Sequence, residues 1–178
     1  MLNAGSIRSD RFYDCGYLSA GDWIDMFPYR TKLFKVEVSG ALLAKILEQG
    51  IAKYPSFEGR FPSISNIEFE FDADLPPYER IISGTLKVGG VNVLDFKKYS
   101  IVAPSFIVSG LDGYEYFKES TNMMCESEAP VFIDTLFQIY RLPHKDEYTK
   151  EYTFFKENLE EINQNFLLKN VQDKVIIQ

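Results

Sequence analysis

The sequence predicts an α+β fold, or an irregular α/β fold, in which a mixed β-sheet packs against helices. Segments with apolar residues at every second position, such as 67–71, indicate half-buried strands. Segments with apolar residues at helical spacing, such as 42–51, indicate amphipathic helices. The two kinds of segment do not alternate regularly along the 178 residues, which argues against a sheet built from repeated βαβ units.

The first half of the chain is predicted to contain a loop, two helices and two strands. Residues 3–11 are expected to form a loop, and a short helix is expected at 22–27, before Pro28. Alternation predicts a strand at 33–38, after which Ser39 is a good N-cap. The next helix carries an apolar stripe made of Leu42, Leu43, Ile46, Leu47 and Ile51. A second strand follows at 67–71 and ends before the Pro76-Pro77 turn.

The middle of the chain is predicted to contain a β-hairpin and one more strand. Gly89-Gly90 separates β-branched segments at 81–88 and 91–93, which is a strong hairpin signal. Residues 99–103 are apolar enough to be a central strand. A loop is expected at 109–113, and a short helix at 114–119.

The last third differs in pattern, so residues 1–120 are predicted to form the main domain and residues 121–178 a helical extension. Pro130 suits the first turn of a helix that continues to Tyr140. A final helix carries a heptad-like seam from Tyr152 to Phe166, which is expected either to dock on its own domain or to contact another chain. The apolar tail 175–177 is expected to add an edge strand or to meet a partner.

Composition excludes several classes of function. The net charge of −7 disfavours binding to nucleic acid or to an anionic membrane, and no apolar run is long enough to span a bilayer. The first residues are polar and show no signal peptide, so a cytoplasmic location is expected. Cys15 and Cys125 are expected to be reduced thiols, although one disulfide is possible. The single histidine, His144, is expected to be an ordinary surface residue.

Four short motifs occur in order along the chain. They are NAGSIR at 3–8, MFPY at 26–29, VSG at 38–40 before a Leu-rich helix, and Phe106 followed by GLDGY at 110–114. Their order and spacing resemble the C-terminal, nucleoside-recognition domain of the 5'-nucleotidase family of metallophosphatases. That family shows an Asn-x-Gly-x-Ile-Arg loop, a Pro-Phe pair, a Gly-capped helix, a hairpin and a Gly-Gly-Asp-Gly loop, and the resemblance covers residues 2 to about 119.

The resemblance implies a substrate-binding role for five side chains. Tyr29 and Phe106 would sandwich the base, Asp112 would hold the ribose hydroxyls, Arg8 would meet the phosphate and Asn3 would be a polar group of the pocket. Gly5, Gly110 and Gly113 would let the backbone approach the ligand closely. The chemistry is suitable, because bases stack on aromatic rings with about 1–3 kcal/mol each and a guanidinium matches phosphate oxygens.

Each of these residues also has a purely structural interpretation. Tyr29 and Phe106 could be core aromatics among 26 Phe and Tyr residues. Asp112-Gly113 could be an ordinary turn, and Arg8 could form a surface ion pair of little energetic value.

The sequence departs from the family pattern at three places. Leu111 stands where the family has a second glycine, so its Cβ could hinder close backbone approach or a positive φ. Arg30-Thr31-Lys32 stands where the family tends to have small or amide residues. Asn66 stands where a related segment ends in glycine, and asparagine is the usual substitute at positive φ.

The resemblance also implies that catalysis needs two metal ions held by a separate N-terminal domain. With one histidine and no ligand cluster, this chain is expected to hold no metal, no cofactor and no catalytic residue of its own. The family's interdomain helix and first helix of this domain would lie upstream of Asn3. The chain is therefore expected to be a fragment of a longer enzyme, a separate truncated gene product, or half of a two-chain assembly.

Three functions follow as expectations. The chain would recognise adenosine or an AMP-like nucleotide and contribute to nucleoside monophosphate hydrolysis only with a metallophosphatase domain. Alternatively, it would be a noncatalytic structural or docking subunit of a larger protein assembly. A stand-alone nucleotide sensor would use the same aromatic clamp without hydrolysis.

Overall fold

The computed structural model describes residues 1–13, 15, 18–56, 58–140 and 175–177. The α+β class predicted from the sequence is confirmed. The described strands pair antiparallel and are divided among three sheets rather than joined in one mixed sheet.

The smallest sheet lies at the N-terminus, within the segment predicted to be a loop. Strand β1, Leu2–Asn3, pairs with β3, Pro62–Ser63. A 3₁₀ turn, Ala4–Ser6, follows, in which the Ala4 N–H donates to the carbonyl of Phe61 at 2.8 Å. These long-range bonds have no signal in local sequence, so the loop prediction for 3–11 is wrong for its first residues.

The second sheet has three strands. Strand β2, Leu33–Ser39, pairs along its whole length with β7, Lys98–Pro104, and on its other edge with β8, Thr121–Asn122. The strand at 99–103 was predicted to be central, but the described sheet has β2 in the centre and β7 at an edge. The half-exposed Val102 explains the misleading apolar run, since its side chain lies on the outer face of the sheet.

Helix α2, Gly40–Ile51, follows β2 directly and forms the middle of the core. The Ser39 side chain accepts a hydrogen bond from the Leu42 N–H, which confirms the predicted N-cap. The apolar stripe is almost fully buried and packs with residues of both larger sheets; its members are Leu42, Leu43, Ile46, Leu47 and Ile51.

The third sheet has the order β6-β5-β4-β9. Strands β4, Ile67–Phe71, β5, Lys87–Val88, and β6, Val91–Asn92, form a meander, and β9, Val175–Ile177, pairs with β4. The hairpin turn is confirmed, with Gly89 at φ 59° and Gly90 at φ 74°. The edge-strand prediction for 175–177 is also confirmed.

The predicted long strand at 81–88 is wrong for its first part. Ile81 makes one isolated bridge with Phe71, after which the chain turns and Gly84 takes φ 79°. Thr85 closes this turn, because its N–H and its hydroxyl both donate to the carbonyl of Ile82.

Three shorter α-helices and a 3₁₀ helix also belong to the described fold. Helix α1, Ala20–Met26, starts before the predicted position because Ser19 and Asp22 form a reciprocal capping box. Helix α3, Ser105–Val108, is a single turn that was not predicted, and residues 115–119 form a 3₁₀ helix. Helix α4, Phe132–Tyr140, begins two residues after Pro130, which was predicted to lie in its first turn.

The residues after position 120 join the sheet and the helices that precede them. Besides the pairing of β8 with β2, Val131 bridges to Lys32, and the rings of Phe27 and Phe132 meet edge to face at 4.9 Å. The boundary predicted at 120 stays a prediction. The seam from Tyr152 to Phe166 and His144 lie outside the described residues. Among the residues described, no helix is long and apolar enough to cross a bilayer.

Candidate functional site

Two loops that are distant in sequence meet at one place. The Asn3 amide donates from Nδ2 to the Asp112 carboxylate Oδ2 at 2.9 Å, across 109 residues of chain. Asn3 is only 3 % exposed, whereas Asp112 is partly open to solvent. The structure thus brings the first predicted motif and the last one together.

Ser6 orients the amide of Asn3. Its hydroxyl donates to Asn3 Oδ1 at 2.6 Å, so the opposite amide edge, which carries the donors, faces Asp112. The sequence analysis did not single out Ser6. Its position two residues before Arg8 gives no hint that it would turn back within the 3₁₀ turn to reach Asn3.

The loop that carries Asp112 is held in a left-handed conformation. Gly110 has φ 85°, Asp112 has φ 57° and Gly113 has φ 83°. Leu111 is not among the residues with positive φ, so the concern that its side chain would oppose this backbone conformation is not realised. Leu111 instead exposes 51 % of its surface at the edge of the loop. Asn66 takes φ 62°, as its replacement of a glycine predicted.

The three glycines lie close to other parts of the chain. A Cβ on Gly5 would be 3.1 Å from the Cα of Gly59, and the Gly5 N–H donates to the Gly59 carbonyl. A Cβ on Gly113 would be 2.6 Å from Nη1 of Arg60, and one on Gly110 would collide with Cε of Lys118. These close contacts explain why a glycine fits at each of the three positions. The close approach of their backbone to a ligand stays a prediction.

Arg8 and Tyr29 form a pair at the surface. The Arg8 guanidinium donates to the Tyr29 hydroxyl at 2.8 Å from Nη2, and its Cζ lies 5.3 Å from the centre of the Tyr29 ring. In the part of the chain that the structure describes, Arg8 makes no ion pair with a carboxylate. The alternative interpretation of Arg8 as a member of a surface ion pair is therefore not observed there.

The two predicted clamp aromatics are not core residues. Tyr29 is 52 % exposed and Phe106 is 45 % exposed. Phe106 lies on the one-turn helix α3, where its carbonyl accepts from the Ser109 hydroxyl at 2.8 Å. Tyr29 lines a small cavity of about 20 Å³ with Phe27, Pro104 and other residues, which does not include Phe106. The two rings are accessible but do not touch each other in the described structure.

Behind the Asp112 loop lies a half-buried cation that sequence reasoning missed. Arg60 has its Nε 2.8 Å from the Glu58 carboxylate, and its side chain is 20 % exposed. The Nε–H does not point at that carboxylate, so the contact is one of charge rather than a hydrogen bond. The fully buried Tyr114 donates from its hydroxyl to the carbonyl of Arg60. Burial, together with the negative charge of Asp112, raises the pKa of Tyr114 well above its ordinary value.

The described residues contain no cluster of three or more histidine, cysteine, aspartate or glutamate side chains that could hold a metal ion. The groups at Asn3 and Asp112 are one amide and one carboxylate, which are joined by a hydrogen bond. Cys15 and Cys125 are both exposed free thiols.

The fold and the site define an α+β domain in which the 3–8 loop and the 110–114 loop are joined by the hydrogen bond from Asn3 to Asp112. The chain belongs to the family described as 5'-nucleotidase, C-terminal domain, whose model matches residues 1–119.

Curated relatives agree with this assignment. The chain is 25 % identical over 125 residues to the trifunctional nucleotide phosphoesterase protein YfkN of Bacillus subtilis, a match that covers 68 % of this chain and 8 % of that protein. It is 26 % identical over 128 residues to the 5'-nucleotidase of Bos taurus, covering 67 % of this chain and 22 % of the relative. The chain thus spans less than a quarter of the length of either relative.

Solved structures share the fold. A 5'-nucleotidase precursor from Thermus thermophilus superposes with a TM-score of 0.67 at 23 % identity, covering 78 % of this chain and 28 % of that one. The NAD nucleotidase of Haemophilus influenzae superposes with a TM-score of 0.62 at 21 % identity, covering 83 % of this chain and 28 % of that one.

Proposed function

We propose that this chain is a nucleoside-recognition domain, which positions adenosine or an AMP-like nucleotide for hydrolysis by a separate dimetal phosphatase domain. The observation that carries the proposal is the hydrogen bond between Asn3 and Asp112, because it joins the two loops that carry the polar binding groups. The names of the relatives, nucleotidases and a nucleotide phosphoesterase, support the substrate class.

Asp112 is the group that would accept from the ribose. One of its carboxylate oxygens accepts from Asn3, which leaves the other oxygen to accept from a ligand. A carboxylate can accept hydrogen bonds from both hydroxyls of a ribose. The left-handed backbone at Asp112, flanked by Gly110 and Gly113, presents the carboxylate from a tight turn.

Tyr29 and Phe106 would bind the base. Each exposes about half of its side chain, and stacking on an aromatic ring contributes about 1–3 kcal/mol per base. Arg8 donates from Nε and Nη2 to the Tyr29 hydroxyl, and a guanidinium also forms charge-assisted hydrogen bonds with phosphate oxygens. Arg8 would therefore turn from the tyrosine hydroxyl toward the phosphate when a nucleotide binds.

Calorimetric titration of the 178-residue chain with adenosine and AMP tests this function. Micromolar binding is expected, with a loss of at least tenfold in affinity in Tyr29→Ala and in Phe106→Ala. Phe96→Ala is the matched control, because Phe96 is 83 % exposed and lies outside both loops. Arg8→Ala is expected to weaken AMP more than adenosine, since only AMP carries the phosphate. Absence of heat from the folded wild-type chain would overturn the proposal.

A noncatalytic docking subunit is the second candidate. The observation that favours it is a group of exposed apolar side chains on and after the β5–β6 hairpin: Val91, Leu94 and Phe96. If docking is the function, Phe96→Ala would disrupt association with a partner chain in size-exclusion chromatography with light scattering, while Tyr29→Ala would not. Tyr29→Ala therefore tests nucleoside binding and Phe96→Ala tests docking, and each variant is the control for the other.

A further inference from the structure

A second concave site lies outside the two loops. It is a cleft of about 510 Å³ between helix α2 and the segment 78–95, and none of its lining residues belongs to the loops that hold Asn3 and Asp112. Small-molecule sites commonly have volumes of roughly 300–1,000 Å³. The cleft is therefore large enough to take a ligand of its own.

A buried carboxylate lines this cleft with one oxygen unsatisfied. Glu48, on α2, is 8 % exposed, and its Oε1 accepts from the Ile81 N–H at 2.6 Å. Its Oε2 is buried and has no hydrogen-bond partner among the residues that the structure describes. A buried acceptor without a donor is costly, by about 1–3 kcal/mol, so its environment must supply one.

The nearby cations of the chain are directed elsewhere. Arg80 is 7 % exposed and donates to the carbonyls of Leu75, Ile51 and Tyr54, at 3.0, 2.9 and 2.8 Å. Lys45 has its Nζ 5.3 Å from the centre of the Tyr116 ring. Neither side chain hydrogen-bonds to Glu48 Oε2, so the missing donor has to come from outside these residues.

The remaining walls of the cleft favour a positive charge. Asp95 adds a second carboxylate and Tyr78 an aromatic ring, whose face attracts cations, whereas the Tyr116 ring is already contacted by Lys45, which also lines the cleft. Tyr78 is held at φ 74°, an unusual conformation for a bulky residue. It is 56 % exposed at the edge of the cleft.

We propose that this cleft binds a small organic cation, an ammonium or guanidinium compound, whose N–H group donates to Glu48 Oε2. The proposal does not rest on the proposed nucleoside site, since the two sites share no residue. Arg80 and the Ile81 N–H hold the backbone around Glu48 in place, and the buried Oε2 is reached when a lining side chain moves aside.

The test is a titration of the full ¹⁵N-labelled chain followed by NMR, with butylamine and butylguanidine as cationic probes. Butanol and butyrate are the neutral and anionic probes of matched size. The cationic probes are expected to shift the Ile81 amide signal saturably, because its acceptor is Glu48. Butanol and butyrate are expected to leave it unchanged at the same concentrations.

Two variants and one control make the test specific. Glu48→Gln keeps an acceptor for the Ile81 N–H but removes the negative charge, and it is expected to weaken cation binding at least tenfold. Ser83→Trp is expected to block the cleft from its exposed edge without touching the core. Glu119→Gln removes an exposed charge outside the cleft and is expected to bind as the wild type does.

Several outcomes would overturn the proposal. An unsaturated response to the amines would mean that water supplies the donor to Oε2, and equal responses to butylamine and butanol would remove the role of charge. Wild-type binding by Glu48→Gln would mean that the amines bind elsewhere. Adenosine, in contrast, is expected to shift the Gly113 amide and not that of Ile81, so failure of either site is seen separately.

Discussion

At the scale of single residues, the candidate nucleoside site contains two consecutive hydrogen bonds, from Ser6 to Asn3 and from Asn3 to Asp112. Asn3 is buried, so an amide in the wrong orientation would present its oxygen to the carboxylate and repel it. The serine hydroxyl excludes that orientation by donating to Asn3 Oδ1.

Ser6→Ala is expected to weaken adenosine binding about fivefold, since one hydrogen bond contributes about 1 kcal/mol. The loss arises because the Asn3 amide is then free to rotate away from Asp112. Isothermal titration calorimetry measures it, with the exposed Ser65→Ala as control. Equal affinities of the two variants for adenosine would show that the Ser6 hydroxyl is not required to orient the Asn3 amide.

Tyr114 is expected to make stability fall at alkaline pH. Its pKa is raised in the folded chain, so stability is complete below the ordinary pKa of about 10 and is lost as pH rises from there toward the folded pKa. The unfolded chain then binds fewer protons than the folded one, and the free energy of unfolding drops by about 1.4 kcal/mol per pH unit.

Urea denaturation of the wild type and of Tyr114→Phe at pH 8 to 11 measures this effect. At pH 8 the variant is expected to be less stable by about 1 kcal/mol, because it lacks the hydrogen bond to the Arg60 carbonyl. Above pH 10 the difference should narrow, since the variant has no such hydroxyl to titrate. Tyr78→Phe, at an exposed position, should follow the wild-type pH profile.

At the scale of elements, helix α2 is fixed at its start by close packing as well as by its cap. A Cβ on Gly40 would collide with the Leu94 carbonyl oxygen and would be 2.6 Å from Cγ1 of Val93. The obstacle includes backbone, which cannot rotate away as a long side chain can.

Gly40→Ala is therefore expected to lower the free energy of unfolding by about 1–3 kcal/mol, although alanine is the better helix former. Gly21→Ala in α1 is the matched control, because the nearest atom to its Cβ would be Ser19 Oγ at an ordinary 3.5 Å. The control is expected to be neutral or slightly stabilising. Urea denaturation of both variants measures the difference, and equal effects would contradict the packing argument.

At the scale of the whole molecule, binding at the joined loops should stabilise the entire fold. The 3–8 loop and the 110–114 loop are far apart in sequence but in contact in the fold. The chain that separates them in sequence forms α2 and core strands of both larger sheets. A ligand that contacts both loops binds the folded chain only.

Adenosine at about 100 times its dissociation constant is accordingly expected to raise the free energy of unfolding by about 2.7 kcal/mol. Thermal denaturation over a series of adenosine concentrations measures the shift. Asp112→Asn is expected to reduce the shift strongly, and Glu119→Gln should reproduce the wild-type curve. A melting temperature independent of adenosine would contradict binding at the loops.

The elements with clear local signals were predictable from sequence. Strand β2, the Ser39 cap, helix α2, the Gly89-Gly90 hairpin and strand β4 all have patterns in which local preference and tertiary environment agree. Strand β7 was misplaced as central, because an apolar run does not reveal whether both faces of a strand are covered. The single-turn helix α3 was missed because one turn carries too little pattern.

The site residues were found as separate motifs, and their mutual arrangement was not predictable. Nothing in the sequence shows that Asn3 bonds to Asp112, that Ser6 orients the amide, or that Arg60 lies behind Gly113. The cleft beside Glu48 also had no sequence signal, since its walls come from α2, the 78–95 segment and Tyr116.

The sequence by itself determined the α+β class and the family, because these follow from short-range patterns and ordered motifs. Only the tertiary structure decided which strand is central, which loops meet and which polar groups are satisfied. The physical reason is that burial and long-range hydrogen bonds depend on what the folded chain brings together, and residues up to 109 positions apart do so here.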